Sequence, residues 1–427
     1  MKVLLISVGG SDQPIVKSIV KNEPDHVIFI CTEDKGAEKG SRVTVDGSGL
    51  VCQDRDGELR RPSITVQTGL AKDNYEIIIV ESDDLYGVYK TSYEIIIGHL
   101  EAGNEVIVDY TGGTKSMSAG LAAAGMDHEE CTFSLVKGLR LDLIKVRDGM
   151  ERVSCLPNKS FVFRQKELCQ RLVEQWDYSG AAKVLEHLDR SGHLITEDDK
   201  EISRLFYLTR AFELWDRFEY RDAAELIELF KNETVIKPYN KILKQIVWAL
   251  DWHTEWSPDG PQQNPGFLLV YDILLNAERK AAGGYYDDAV ARIYRAVEMY
   301  AQFCLRYGEP SLTSDNIDLE RLPLDCREEY KARFKTGSKI AIGLTDDYDL
   351  LARLENPIGP VWTSWRSKIL DILKKRNYSF LAHGMNPLTQ LDYLEVKDKV
   401  WAFITECDSV LENKPNLQDA VQLPKHL

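Results

Sequence analysis

The sequence predicts a doubly wound α/β domain followed by an all-α region, on three observations. Short, unbroken β-branched runs recur through the first 150 residues. Helical periodicity takes over after about residue 155, and glycine-rich corners close two of the early runs. The runs 3–8, 27–31, 76–80 and 105–109 are continuous and apolar. That pattern belongs to strands buried on both faces of a parallel sheet. Between them, 13–21, 86–102 and 114–126 have helical spacing, and Gly103 stands where a helix C-cap is expected. The pairs 131–136 and 139–146 read as a terminal antiparallel pair, and 41–68 as a hairpin insertion.

The chain has 427 residues with 44% hydrophobic content, enough for two or three cores. No stretch approaches the roughly 18 apolar residues of a membrane helix. The opening apolar run, residues 1–8, is too short for a signal peptide and lacks a cleavage site. The eight cysteines show no CxxC spacing, so no zinc site is expected. Their scatter points to reduced thiols and a cytoplasmic protein. The net charge of −15 divides into −8 over residues 1–150 and −7 beyond. An acidic chain does not coat nucleic acid broadly, although a small basic pocket remains open to it.

Within the helical part, 176–182, 218–224 and 284–290 are similar, each a turn running into a helix through small residues. The spacing is irregular, which favours helical packing over a true repeat. The stretch 256–266, with three prolines and two glycines, marks a boundary. The expected division is 1–150, 155–265 and 266–427.

Two constellations carry chemistry. The first follows the strand ending at Asp109, where Thr111, Gly112, Gly113, Thr114, Lys115 and Ser116 open a helix. Glycines admit an anion to the backbone, and a helix start offers unpaired N–H groups and a favourable dipole. The hydroxyls and Lys115 add donors. A second corner, Gly9, Gly10 and Ser11, follows the first strand. Two corners side by side at the carboxyl ends of strands suit a ligand with several phosphates. The run is neither a Walker A loop nor a G-x-G-x-x-G fingerprint. The competing reading is a glycine turn capped by a threonine.

The second constellation is a basic stretch, 365–384, holding five basic residues and one acid. Arg376 and His383 are seven residues apart, about two helical turns, and so share one helical face. Histidine exchanges protons near neutral pH, and arginine holds phosphate. The pair suffices for metal-free attack of a ribose 2′-hydroxyl on the adjacent phosphate. The competing reading is a solvated helix end, since such spacing is common by chance.

Together these residues resemble a family, the CRISPR-associated CARF–HEPN ribonucleases of type III systems. The run 109–117, Asp-Tyr-Thr-Gly-Gly-Thr-Lys-Ser-Met, is similar to the nucleotide-sensing motif of CARF domains. Arg376, Asn377 and His383 match the HEPN pattern of an arginine followed after four to six residues by histidine, here after six. The helix at 287–298 resembles the long HEPN helix, while 155–265 is not diagnostic. The resemblance implies a Rossmann-like CARF domain, then helices and a C-terminal HEPN domain. It implies cyclic oligoadenylate as allosteric activator, single-stranded RNA as substrate, a homodimer, and no metal or other cofactor. Arg376, Asn377 and His383 would be catalytic. The alternative is a CARF-type sensor or regulator without ribonuclease activity. Degradation of the activator through Ser11 or Thr111 is a further option.

Overall fold

The computed structural model describes residues 1–53, 60–137, 152–156, 158–190, 197–260, 266–333, 339–411, 417 and 420–427. It divides into two compact units, Met1–Glu167 and Leu168–Leu427.

The first unit is built from β1 (Lys2–Ser7), α1 (Gln13–Asn22), β2 (His26–Cys31), α2 (Arg42–Asp46), β3 (Cys52–Gln53), β4 (Arg60–Arg61), α3 (Ile64–Thr68), β5 (Tyr75–Ile79), α4 (Leu85–Glu101), β6 (Glu105–Asp109), α5 (Lys115–Met126), β7 (Thr132–Lys137) and β8 (Arg152–Leu156). It also takes in the start of α6 (Lys159–Glu174). Six of the strands form one sheet in the order β5-β2-β1-β6-β7-β8, and β3 and β4 pair separately. All neighbours are parallel except β7 and β8. Alternation sorts each strand between two faces. Val3, Leu5, Ile28, Ile30, Val106 and Val108 pack under α4 and α5. Leu4, Ile6, Val27, Phe29 and Ile107 pack under α1, α2 and α3. Double-sided burial is why these strands read as continuous apolar runs.

The expected strands and helices lie within about two residues of those observed, the usual uncertainty of element ends. The 41–68 insertion is a hairpin of β3 and β4, but with a short helix on either side. The expected strand 139–146 lies outside the described residues. The antiparallel partner of β7 is β8, which the sequence did not single out.

The second unit contains α7 (Tyr178–Arg190), α8 (Glu197–Asp216), α9 (Tyr220–Glu228), α10 (Lys237–Glu255), α11 (Leu268–Ala282), α12 (Tyr286–Tyr307), α13 (Leu324–Arg333), α14 (Leu344–Arg353), α15 (Gly359–Asn377) and α16 (Gln390–Val410). The three similar stretches share one turn. Trp176, Phe218 and Gly284 have φ of 60°, 66° and 82°, each two residues before a helix. In each, the next residue donates its N–H five residues back: Asp177 to Leu172, Glu219 to Leu214 and Tyr285 to Lys280. This is the Schellman reversal. A fourth copy, not seen in the sequence, joins α14 to α15 through Glu355, with Asn356 donating to Leu351. Around α12 pack α11, α14, α15 and α16. Their centre is Tyr348 stacked on Trp362 at 4.6 Å, with Phe403 edge-on to both.

Candidate functional site

β1 and β6 are adjacent and parallel, and β2 and β7 lie on opposite sides of them. Their carboxyl ends therefore flank the topological switch point, where doubly wound sheets bind ligands. The two glycine corners emerge there in contact. A Cβ on Gly9 would sit 2.8 Å from the Gly113 nitrogen, and one on Gly112 would sit 2.4 Å from the Ser7 carbonyl oxygen. Only glycine permits this approach. The Ser7 and Ser118 hydroxyls both donate to the Gly112 carbonyl, at 2.6 and 2.7 Å. Buried Asp109 turns the chain out of β6 by accepting from the Thr111 N–H at 2.9 Å and the Ser18 hydroxyl at 2.5 Å.

Each expected ligand residue has a definite place. Gly9, Gly112 and Gly113 form the contact, while Gly10 and Ser11 are exposed beside it. Thr114 is the N-cap of α5: its hydroxyl accepts from Met117 N–H at 3.2 Å and donates to the Ser82 carbonyl. That hydroxyl serves the fold, leaving the Thr114 backbone as its contribution to a ligand. The Thr111 hydroxyl accepts from Val136 N–H at 2.9 Å and keeps its own hydrogen to donate. Lys115 is exposed and Ser116 half-buried in the first turn of α5. Their N–H groups have no partner among the described residues, as helix starts require. The corner thus offers amides, a dipole, two hydroxyls and one ammonium to an anion.

Sequence reasoning missed the cluster behind this corner. Arg61 of β4 forks onto Asp12, with Nε to Oδ2 and Nη2 to Oδ1 both at 2.8 Å. Gln67 and Gln13 add amide donors to Oδ2 at 2.9 and 3.2 Å. Burial raises the Asp12 carboxyl, but hydrogen bonds from Arg61, Gln67 and Gln13 outweigh it and hold the group at about 2. The basic pair Arg60 and Arg61 beside Pro62 was the available signal. Its partner lies 49 residues away and has no local signature.

The second site needs a correction. α15 stops at Asn377, so Arg376 and His383 do not share a helical face. His383 lies on the loop beyond. That loop folds back: Ser379 N–H donates to Arg376, Gly384 N–H to Ser379, and His383 N–H to the Asn377 carbonyl at 3.2 Å. Gly384 lies so close to Tyr378 that a Cβ would fall 1.8 Å from its carbonyl oxygen. Asp287 at the start of α12 accepts from Leu388 N–H at 2.9 Å and ties the loop down. The histidine reaches the helix end by a turn in place of two helical turns. His383 and Asn377 are exposed and Arg376 is half-buried.

The basic stretch is also largely neutralised. Arg366 pairs with Asp349, Lys374 with Asp371, and Lys375 with Asp392 and Glu395. Arg376 has no carboxylate partner among the described residues. Its guanidinium lies 4.6 Å above the Tyr294 ring, Nη1 meets the Asn377 amide oxygen at a long 3.4 Å, and Nε is buried without a partner. Around His383 the loop exposes Tyr378, Phe380, Leu381 and Met385. Among the described residues no group of three or more His, Cys, Asp or Glu side chains is placed to hold a metal, and no helix is long and apolar enough to cross a membrane.

Residues 259–406, which include Arg376, Asn377 and His383, match the family described as the Csm6 HEPN domain. No curated protein matches the chain. A solved structure similar to it is Enterococcus italicus Csm6 bound to cyclic hexa-2′-fluoro-hexa-dAMP, at 14% identity and a TM-score of 0.49, covering 97% of this chain and 96% of that one.

Proposed function

We propose, from a C-terminal domain that belongs to the Csm6 HEPN family, that the chain is a cyclic-oligoadenylate-activated endoribonuclease of type III CRISPR defence, cutting single-stranded RNA. The observation that carries this reading is the family match over 259–406, which contains a cation free of carboxylates and a histidine folded back onto the same helix end. The first unit serves as the CARF sensor. Gly9, Gly10, Ser11, Thr111, Gly112, Gly113, Thr114, Lys115 and Ser116 meet the activator phosphates.

The chemistry requires no metal. The ribose 2′-hydroxyl attacks phosphorus, forming the cyclic diester as the bond to the 5′-oxygen breaks. His383 gives its proton to the leaving oxygen, and the 2′-hydroxyl proton passes to solvent. Arg376 holds the phosphate and offsets charge developing on it. Asn377 orients the guanidinium. Products carry 2′,3′-cyclic phosphate and 5′-hydroxyl ends. The protein works as a homodimer: the exposed apolar loop around His383 would be covered by a second copy, bringing two Arg376–His383 pairs to one groove.

The test is RNA cleavage with and without cyclic tetra- and hexa-adenylate, in EDTA. His383→Ala should lose about 10²–10⁴ in rate while activator binding survives. A metal requirement or 5′-phosphate products would overturn the mechanism. Cleavage indifferent to every cyclic oligoadenylate would overturn the sensor reading.

A further inference from the structure

We infer that Tyr294 is a positioning residue for the Arg376 guanidinium, an assignment that rests on the cleavage chemistry proposed above. An arginine that must receive a phosphate faces two conflicting demands. It has to be held in one orientation, yet it must keep its charge and its N–H groups for the incoming anion. A carboxylate partner meets the first demand and defeats the second, because it neutralises the cation and occupies the fork. An aromatic face meets both. It attracts the cation through its quadrupole and uses none of the in-plane donors.

The neighbourhood follows that logic. Arg366, Lys374 and Lys375, on the same helix, are each held by acids. Arg376 lies on a ring instead, 4.6 Å from the Tyr294 centroid, as Lys368 of the same helix lies on Trp365 at 4.3 Å. Its Nε is buried and unpartnered, so the stacked guanidinium retains an unmet donor. The ring is itself fixed. Tyr294 sits on α12 beside buried Ile293, and with Val297, Ile369, Ile372 and Leu373 it lines a small cavity where α12 meets α15. Helix packing therefore sets the height and tilt of the surface on which Arg376 rests.

The experiment is steady-state cleavage of single-stranded RNA by the full chain with a cyclic oligoadenylate that activates it. Tyr294→Leu, which keeps apolar bulk and removes the ring, should lower kcat about tenfold, the middle of what a partly desolvated cation–π contact supplies. KM should hold, and rates are compared at a temperature well below the melting point of each variant, since losing the ring from the α12–α15 seam costs packing. Tyr294→Phe, which keeps the ring, should restore kcat to within about twofold, a rescue that a hydroxyl role would not give. Tyr294→Met serves as a second ring-free variant should the leucine protein fold poorly. Arg376→Ala separates the layers of the argument. If it is inactive while Tyr294→Leu and Tyr294→Met cut at the wild-type rate, the positioning role is wrong and the cleavage centre stands. If Tyr294→Phe loses as much as Tyr294→Leu, the ring is not the agent and the assignment falls. If Arg376→Ala remains active, the cleavage reading fails and takes this assignment with it.

Discussion

Arg61→Ala should destabilise the first unit, and more so at pH 7 than near pH 4. Asp12 is 3% exposed, and its carboxyl is brought from 3.8 to about 2, which at 1.36 kcal/mol per unit is worth about 2 kcal/mol. Because the folded value is depressed, this stabilisation is fully present above about pH 4 and fades as pH falls toward 2. Removing the guanidinium also leaves a buried carboxylate without its cation, so the loss at pH 7 should reach about 3 kcal/mol. In the variant, burial is free to push the Asp12 carboxyl above its ordinary value, and ionising it then costs more as pH rises. The gap between wild type and variant must widen from pH 4 to pH 7. Fluorescence cannot read this, since all eight tryptophans lie beyond residue 167. Hydrogen exchange of β1, β2 and β6 amides in graded urea can. A loss under about 1 kcal/mol, or the same loss at both pH values, would refute the reasoning.

Gly112→Ala should abolish activator binding by calorimetry and weaken the first unit, because its Cβ meets the Ser7 carbonyl oxygen at 2.4 Å. Gly10→Ala meets nothing within 4 Å and should stay within about 0.5 kcal/mol of wild type. Lys115→Ala, at an exposed position, should weaken activator binding without moving the melting temperature; unchanged binding would remove Lys115 from the site. Gly284→Ala puts a side chain at φ +82° in otherwise open space and should cost about 1 kcal/mol in tryptophan-monitored unfolding of the second unit. Limited proteolysis should cut first between 256 and 266 and yield two fragments, one from residue 1 to that stretch and one matching 266–427; cleavage elsewhere first would argue against a boundary there.

What could be read from the sequence was local. The strands of the first unit declared themselves because burial on both faces leaves no polar alternation, as in Val27 to Cys31. The glycine corner was legible because Gly112 and Gly113 stand between a strand pattern and a helix pattern. The Arg61–Asp12 fork was not, because nothing near residue 61 marks residue 12 as its partner. The end of α15 failed for a related reason. From Asn377 to Ala382 there is neither glycine nor proline, so helical periodicity ran on in the sequence to His383. The chain leaves the helix under one local and one distant influence: Gly384 packs on Tyr378, and Asp287 holds Leu388 from 101 residues away. The neutralisation of Lys375 by Asp392 and Glu395 was equally out of sight, and charge counted along a line overstated how basic the stretch is.

Helix α5 is fastened at both ends. At its start the Thr114 hydroxyl is bonded to Ser82. At its finish the Asn158 amide donates to the carbonyls of Gly125, Met126 and His128, and Arg164 bonds Asp127 and the Met126 carbonyl. A loose helix end absorbs a push by fraying. One clamped at both ends has no slack, so it moves as a strut. Any shift of the Gly113–Lys115 corner would be felt at Asn158, about 18 Å away along the helix axis. Asn158 immediately precedes α6, the helix in which the first unit gives way to the second.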